Sequence, residues 1–244
     1  MKTKLYSLAF ALLALCAGCD DFLDTESLEK KTTDTFPKTQ TDAEQMITGI
    51  YSSLLYVYTE PEQAPFFIFE LAGDDRVGGG STSNKGAQSL DRLYNNGTSW
   101  MSQLWLSYYS GIYRANTAIA TMDNVTEWND PKAKNEYLAE AYFLRAHFYY
   151  ELALVFGQVP LVTTPTAVNL PKTSADELYA QIADDLMQAI NLFPDKKYGQ
   201  IAEGHVSKWA AEALLARVYL FYTGYYQKAD LPTLSNRITK ADIQ

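Results

Sequence analysis

The side chains of this 244-residue chain with the means to do chemistry are few: the adjacent carboxylates Asp74 and Asp75 are the best such candidate, beside two histidines, two cysteines, and one segment where rings and amides crowd together. Asp74 and Asp75 lie in Glu70-Leu71-Ala72-Gly73-Asp74-Asp75-Arg76. Hydrolysis of a glycosidic bond needs two carboxyl groups flanking that bond, and sequence neighbours do not readily face each other across a sugar. Two readings stand at this pair. It is a turn that hydrogen-bonds its own backbone, with Arg76 as an ion-pair partner, or it is a contact to sugar hydroxyls. Neither His147 nor His205 has a second histidine within helical reach, so the His-x-x-x-His zinc pattern does not occur. His147, among aromatics inside a helix, reads as a packed core or interface residue; His205, at a helix start, reads as a capping or surface residue. No Gly-x-Ser-x-Gly elbow and no phosphate loop is present. The expectation is a binding protein, not an enzyme, with no catalytic residue, metal or cofactor.

Tyr94, Asn95, Asn96 and Trp100 close the crowded segment. A flat ring stacks on the apolar face of a pyranose, and an amide pairs with neighbouring hydroxyls. Asp74, Asp75, Tyr94, Asn95, Asn96 and Trp100 are therefore the candidate ligand contacts. The competing reading makes Trp100 the first buried residue of a helix and Asn96-Gly97 a plain turn. Aromatic residues are 14% of the chain, with 18 Tyr, which suits both a core and a sugar-binding surface.

At the N-terminus, Lys2 and Lys4 precede an apolar run over residues 5–15 and then Cys16-Ala17-Gly18-Cys19. This is the order of an export signal, and its apolar part is too short to span a bilayer. Small-small-Cys matches a bacterial lipobox, in which Cys19 is acylated and becomes the first mature residue; Cys16 stands where an aliphatic residue is usual. The alternatives are a plain secretory signal cut near Gly18 and an uncleaved anchor. Residues 1–18 are read as the signal and 19–40 as an acylated tether. After cleavage the mature chain keeps no cysteine beyond Cys19, so a disulfide framework is excluded. Loss of Lys2 and Lys4 leaves 18 basic residues against 29 acidic ones, a net charge of −11. That balance excludes nucleic acid as a partner and does not favour adsorption to anionic lipid. It suits a domain held at a membrane by acyl chains.

The elements that must position these residues are helical. Thr41-Asp42-Ala43-Glu44 has capping-box form, and Met46, Ile47, Ile50, Tyr51, Leu54, Leu55 and Tyr58 recur at helical spacing. Residues 61–99, with Pro61, Pro65 and Gly78-Gly79-Gly80, read as a long ordered loop with at most short strands or turns. Four long helices are predicted to follow. The first covers about 100–122. The second starts at Asp130-Pro131 and ends at a left-handed Gly157. The third runs from the Ser174–Glu177 capping box to near Pro194, and the fourth covers about 206–222, stopping at Gly224. Glu140-Ala141-x-Phe143-x-Arg145 and Phe148-Tyr149-Tyr150 align with Glu212-Ala213-x-Leu215-x-Arg217 and Leu220-Phe221-Tyr222. Self-similarity over helix pairs predicts an all-α, irregular tetratricopeptide-like repeat array with long loops. Arg145 and Arg217 should each pair with a carboxylate between helices. Thr239-Lys240-Ala241-Asp242 looks like a helix start close to the last residue, so the helical domain at 41–244 is read as truncated at its C-terminus.

Several segments together resemble one family. Cys19-Asp20-Asp21-Phe22-Leu23-Asp24 is similar to the acylated start of SusD/RagB proteins. The stretch Glu140-Ala141-Tyr142-Phe143-Leu144-Arg145-Ala146-His147-Phe148-Tyr149-Tyr150, followed by Leu154-Val155-Phe156-Gly157-Gln158-Val159-Pro160-Leu161-Val162, resembles that family's most recognisable region. Ile112-Tyr113-Arg114-Ala115-Asn116 and residues 210–220 fit it as well. The resemblance implies a surface-exposed outer-membrane lipoprotein that captures oligo- or polysaccharide. It implies delivery of that glycan to a SusC-like TonB-dependent transporter. The quoted motifs would then be scaffold, with ligand contacts partly from a C-terminal half not in this chain. Three rivals remain: a secreted helical glycoside hydrolase, a peptide-binding member of the same family, and a purely structural helical-repeat lipoprotein.

Overall fold

The computed structural model describes residues 36–59, 64–73, 75–78, 83–93, 101–166 and 169–234. Helix α1 (Gln40–Thr59) is followed by two short helices, α2 (Pro65–Ala72) and α3 (Lys85–Asp91), and then by four long ones: α4 (Ser102–Thr121), α5 (Ala133–Phe156), α6 (Ala175–Leu192) and α7 (Lys208–Tyr225). No strand occurs among the described residues; one isolated parallel bridge joins Thr39 to Glu127. Helices α4 to α7 each pack on the next, and α1 lies against both α4 and α5. The result is the all-α stacked array that the repeat implied.

Local signals explain the boundaries. The cap of α1 is Thr39 with Asp42, not Thr41 with Glu44. The Asp42 amide donates to Thr39 Oγ1 at 3.2 Å, and Asp42 Oδ2 accepts from the Thr39 and Lys38 amides at 3.0 Å each. The register moves because the chain entering the helix is pinned to the segment before α5: Gln40 N–H donates to Glu127 O, and the Thr126 and Glu127 amides donate to Lys38 O. The Ser174–Glu177 capping box forms as expected. Asp130 caps a turn, accepting from the Lys132 amide, and α5 begins just after it. Gly157 ends α5 at φ +71, where a side chain would be strained.

Residues 61–99 differ from the loop expectation, because α2 and α3 form inside them. Pro65 occupies the first turn of α2, where its missing N–H costs nothing, and the Asn84 side chain accepts from the Ala87 amide to start α3. Gly224 lies within α7 and does not stop it. The chain leaves α7 through Tyr226, and Gln227 takes a positive φ of 53.

The core holds Ile47, Ile50, Leu104, Tyr108, Ile112, Leu144, Phe148, Tyr149, Leu152, Tyr179, Ile182 and Leu186, all essentially without exposure. Leu55 and Tyr58, which share the apolar spacing of α1, are exposed, while Val57 in the same turn is buried. Gly111 lets α4 close on α5. A Cβ there would stand 2.5 Å from the Phe148 ring.

Candidate binding site

Most of the sequence-derived candidates lie outside the described residues: Cys19, Asp74, Tyr94, Asn95, Asn96 and Trp100. Asp75 is described, in an exposed turn. Its neighbour Arg76 does not pair with it; Arg76 Nε donates to Glu70 Oε2 at 2.9 Å, back across the end of α2.

Polar side chains that look reactive in sequence turn out to hold the scaffold together. Arg145 makes a bidentate pair with Asp185 of α6, at 2.8 and 2.6 Å, with both residues nearly fully buried. Its Nη1 also donates to Asn116 Oδ1 of α4 at 2.7 Å. Asn116 Nδ2 in turn donates to the carbonyls of Val162 and Thr164. The Tyr149 hydroxyl donates to Val162 O and accepts from Val162 N–H, and the Tyr109 hydroxyl donates to Pro160 O. A charged pair inside the array thus fixes the backbone of residues 159–164, which has no regular structure to satisfy its own groups.

Arg217, the repeat partner of Arg145, does otherwise. It is exposed and has no ion pair among the described residues. The same residue type at the same repeat position differs because α5 has helices on both sides, whereas this face of α7 is uncovered among the described residues.

His205 is more than a surface or capping residue. Its Nδ1 lies 2.8 Å from Glu140 Oε2, which also accepts from the Tyr51 hydroxyl at 2.7 Å. Tyr51 in turn accepts from the Val206 amide. Burial pushes the Glu140 carboxyl above its ordinary range, opposed by these hydrogen bonds and the nearby imidazole. The arrangement ties α1, α5 and the segment before α7 through one carboxylate. His147 packs parallel to Phe143 and beside Phe148; burial, helped by the Arg217 charge, lowers its pKa to about 4, so it is neutral at pH 7.

One surface has the chemistry of ligand recognition. A groove of about 560 Å³ runs between the C-terminal ends of α5 and α7 and the side of α2, lined by Phe69, Tyr150, Phe221, Tyr225 and Tyr226. Phe221 lies between Tyr179 and Tyr225, with interplanar angles of 14° and 11°. Tyr225 and Phe69 are exposed, at 70% and 41%. Parallel rings with a free outer face, flanked by phenolic hydroxyls, can stack on sugar rings and hydrogen-bond their hydroxyls. The sequence signal was available: Phe221 and Tyr225 are four apart and share one helix face. Among the described residues no cluster of three or more His, Cys, Asp or Glu is placed to hold a metal ion.

Comparison with known proteins places this scaffold. A SusD-like family model, described as "Starch-binding associating with outer membrane", matches residues 21–220. A SusD-like protein of Formosa agariphila is 30% identical over 233 residues, covering 93% of this chain and 45% of the relative. A SusD-like protein of Bacteroides ovatus is 25% identical over 233 residues, covering 92% and 40%. Among solved structures, a laminarin-binding SusD-like protein superposes with a TM-score of 0.65 at 29% identity, over 79% of this chain and 42% of that one. Surface glycan-binding protein A from Bacteroides uniformis has the same fold, with a TM-score of 0.67 at 23% identity over 78% and 44%. The chain spans less than half the length of the curated relatives it matches.

Proposed function

The chain belongs to the SusD-like family, and from that premise we propose that it takes part in glycan capture at the outer membrane, binding oligo- or polysaccharide and handing it to a SusC-like TonB-dependent transporter. The observation that carries this reading is the family match over residues 21–220, supported by the 29% identity to a laminarin-binding protein. Organisation follows from the sequence: a signal over 1–18, a tether over 19–40 acylated at Cys19, and the helical domain from 41 onward. Sugar contacts are assigned to the segment with Asp74, Asp75, Tyr94, Asn95, Asn96 and Trp100, and to the ring-lined groove that ends at Tyr225. Capture needs affinity without bond breaking. Each exposed ring or hydrogen bond nets only about 1 kcal/mol after desolvation, so several contacts along one polymer must act together.

Calorimetry of the chain against a panel of neutral and acidic glycans tests the reading. Reversible binding is expected, weakened in Trp100→Ala and Tyr225→Ala, with no reducing ends released. Steady release of reducing sugar would instead make the protein a hydrolase. Binding of peptides but of no glycan would make it a peptide-capturing member of the family.

A further inference from the structure

A second pocket, of about 270 Å³, lies on a different part of the surface, where the end of α6 and the following segment meet the first turn of α7. Its wall gathers Lys196, Lys197, Lys208 and Trp209, with Asp195, Glu136 and a Phe193 floor. In a chain whose formal charge is −9, three ammonium groups against two carboxylates leave this small concavity at a formal +1, a local reversal of sign.

The lysines are not equivalent. Lys196 is held by both oxygens of Glu136, at 2.6 and 2.7 Å, in a partly buried pair that ties the wall to α5. Lys208 pairs with Asp195 at 2.8 Å, but the Asp195 side chain is 89% exposed. A solvated pair of this kind contributes little, so an incoming anion can take the place of Asp195. Lys197 is exposed and has no carboxylate partner among the described residues. Beside them Trp209 is 47% exposed. A tryptophan face next to the Lys197 ammonium and the solvated Lys208 pair matches two features of one ligand: the apolar C–H face of a pyranose and a charged substituent on it.

We propose that this pocket binds an acidic sugar unit, a uronate or a sulfated residue. Trp209 stacks on the ring, and Lys197 and Lys208 take the anionic group. The volume admits about one sugar, at the low end for ligand pockets. The assignment rests on the reading of the protein as a glycan binder and specifies a charge class for one of its subsites.

The test is titration of the chain with galacturonic acid oligomers, with sulfated oligosaccharides, and with neutral laminarin oligosaccharides. At least one acidic series should bind, and more weakly as salt rises from about 0.05 to 0.5 M. Lys197→Gln and Trp209→Ala should each lower that affinity roughly three- to tenfold while leaving neutral-glucan binding unchanged. Circular dichroism of each variant guards against misfolding, and Lys197→Gln touches no packed group. The two acidic series tell carboxylate from sulfate preference. Acidic binding unchanged in both variants, or neutral oligomers bound and acidic ones refused, overturns the pocket and leaves glycan capture standing. Inorganic sulfate displacing the acidic oligomers as effectively as an unlabelled oligomer, with no effect of Trp209→Ala, reduces the site to an anion site and overturns the sugar assignment. Binding of no saccharide overturns both.

Discussion

Arg145 is a charge that the array surrounds on all sides, and its two bonds to Asp185 are what make that tolerable. Removing one partner of a buried pair strands the other, at a cost of about 3–5 kcal/mol. Arg145→Met should therefore lower stability by that order in urea denaturation. Arg217→Met should change it by no more than about 0.5 kcal/mol, as for other exposed positions. Equal losses in both would show that the Arg217 face is covered in solution. Glu151 makes a second argument at this scale. Its Oε2 and the nearby Tyr108 hydroxyl are buried without hydrogen-bond partners, and burial pushes the Glu151 carboxyl up to about 7 from 4.5, against the pull of Arg217. Between pH 4.5 and 7 the folded state then keeps a proton that the unfolded state has lost. Stability should fall as pH rises through that window, by on the order of 3 kcal/mol in all. Glu151→Gln should be the more stable protein at pH 8 and should flatten the slope. An unchanged slope measured from pH 5 to 8 would assign it to another group.

At the scale of elements, the long helices were legible because their caps and periodicity are local. The Ser174–Glu177 box and Gly157 lie where the sequence put them. Helices α2 and α3 were not legible, because eight and seven residues show too little periodicity amid prolines and glycines. Repeat similarity was a good guide to which segments are helices and a poor one to burial, which depends on neighbours; hence the opposite fates of Arg145 and Arg217. The Tyr51–Glu140–His205 contact was out of reach for another reason. Its members are 89 and 65 positions apart, and no local pattern encodes such a meeting. Helix packing gives its own prediction at Gly111, where a methyl group would meet the Phe148 ring at 2.5–3.0 Å. Gly111→Ala should lower stability by about 1–3 kcal/mol through overpacking, despite the better helix propensity of alanine. Phe148→Leu added to it should restore part of the loss. A melting temperature in Gly111→Ala at or above that of the parent would mean that α4 and α5 are not in this close contact.

For the molecule as a whole, the question is how an acidic helical array stays at a membrane surface. No helix among the described residues is long and apolar enough to cross a bilayer. A net charge of −11 after removal of residues 1–18 is repelled by anionic headgroups instead of drawn to them. The family is associated with the outer membrane, so the attachment proposed here is covalent lipid on Cys19. A single acyl chain holds a protein only marginally, and stable anchoring takes two signals or more, which a diacylated cysteine supplies. In the native host, Cys19→Ala should move the protein from the membrane fraction to an unprocessed or soluble form. The N-terminal peptide of the parent should carry acyl mass on Cys19. An unmodified N-terminus on membrane-associated parent protein, or membrane retention of Cys19→Ala equal to that of the parent, would show that something other than lipid on this cysteine holds it there.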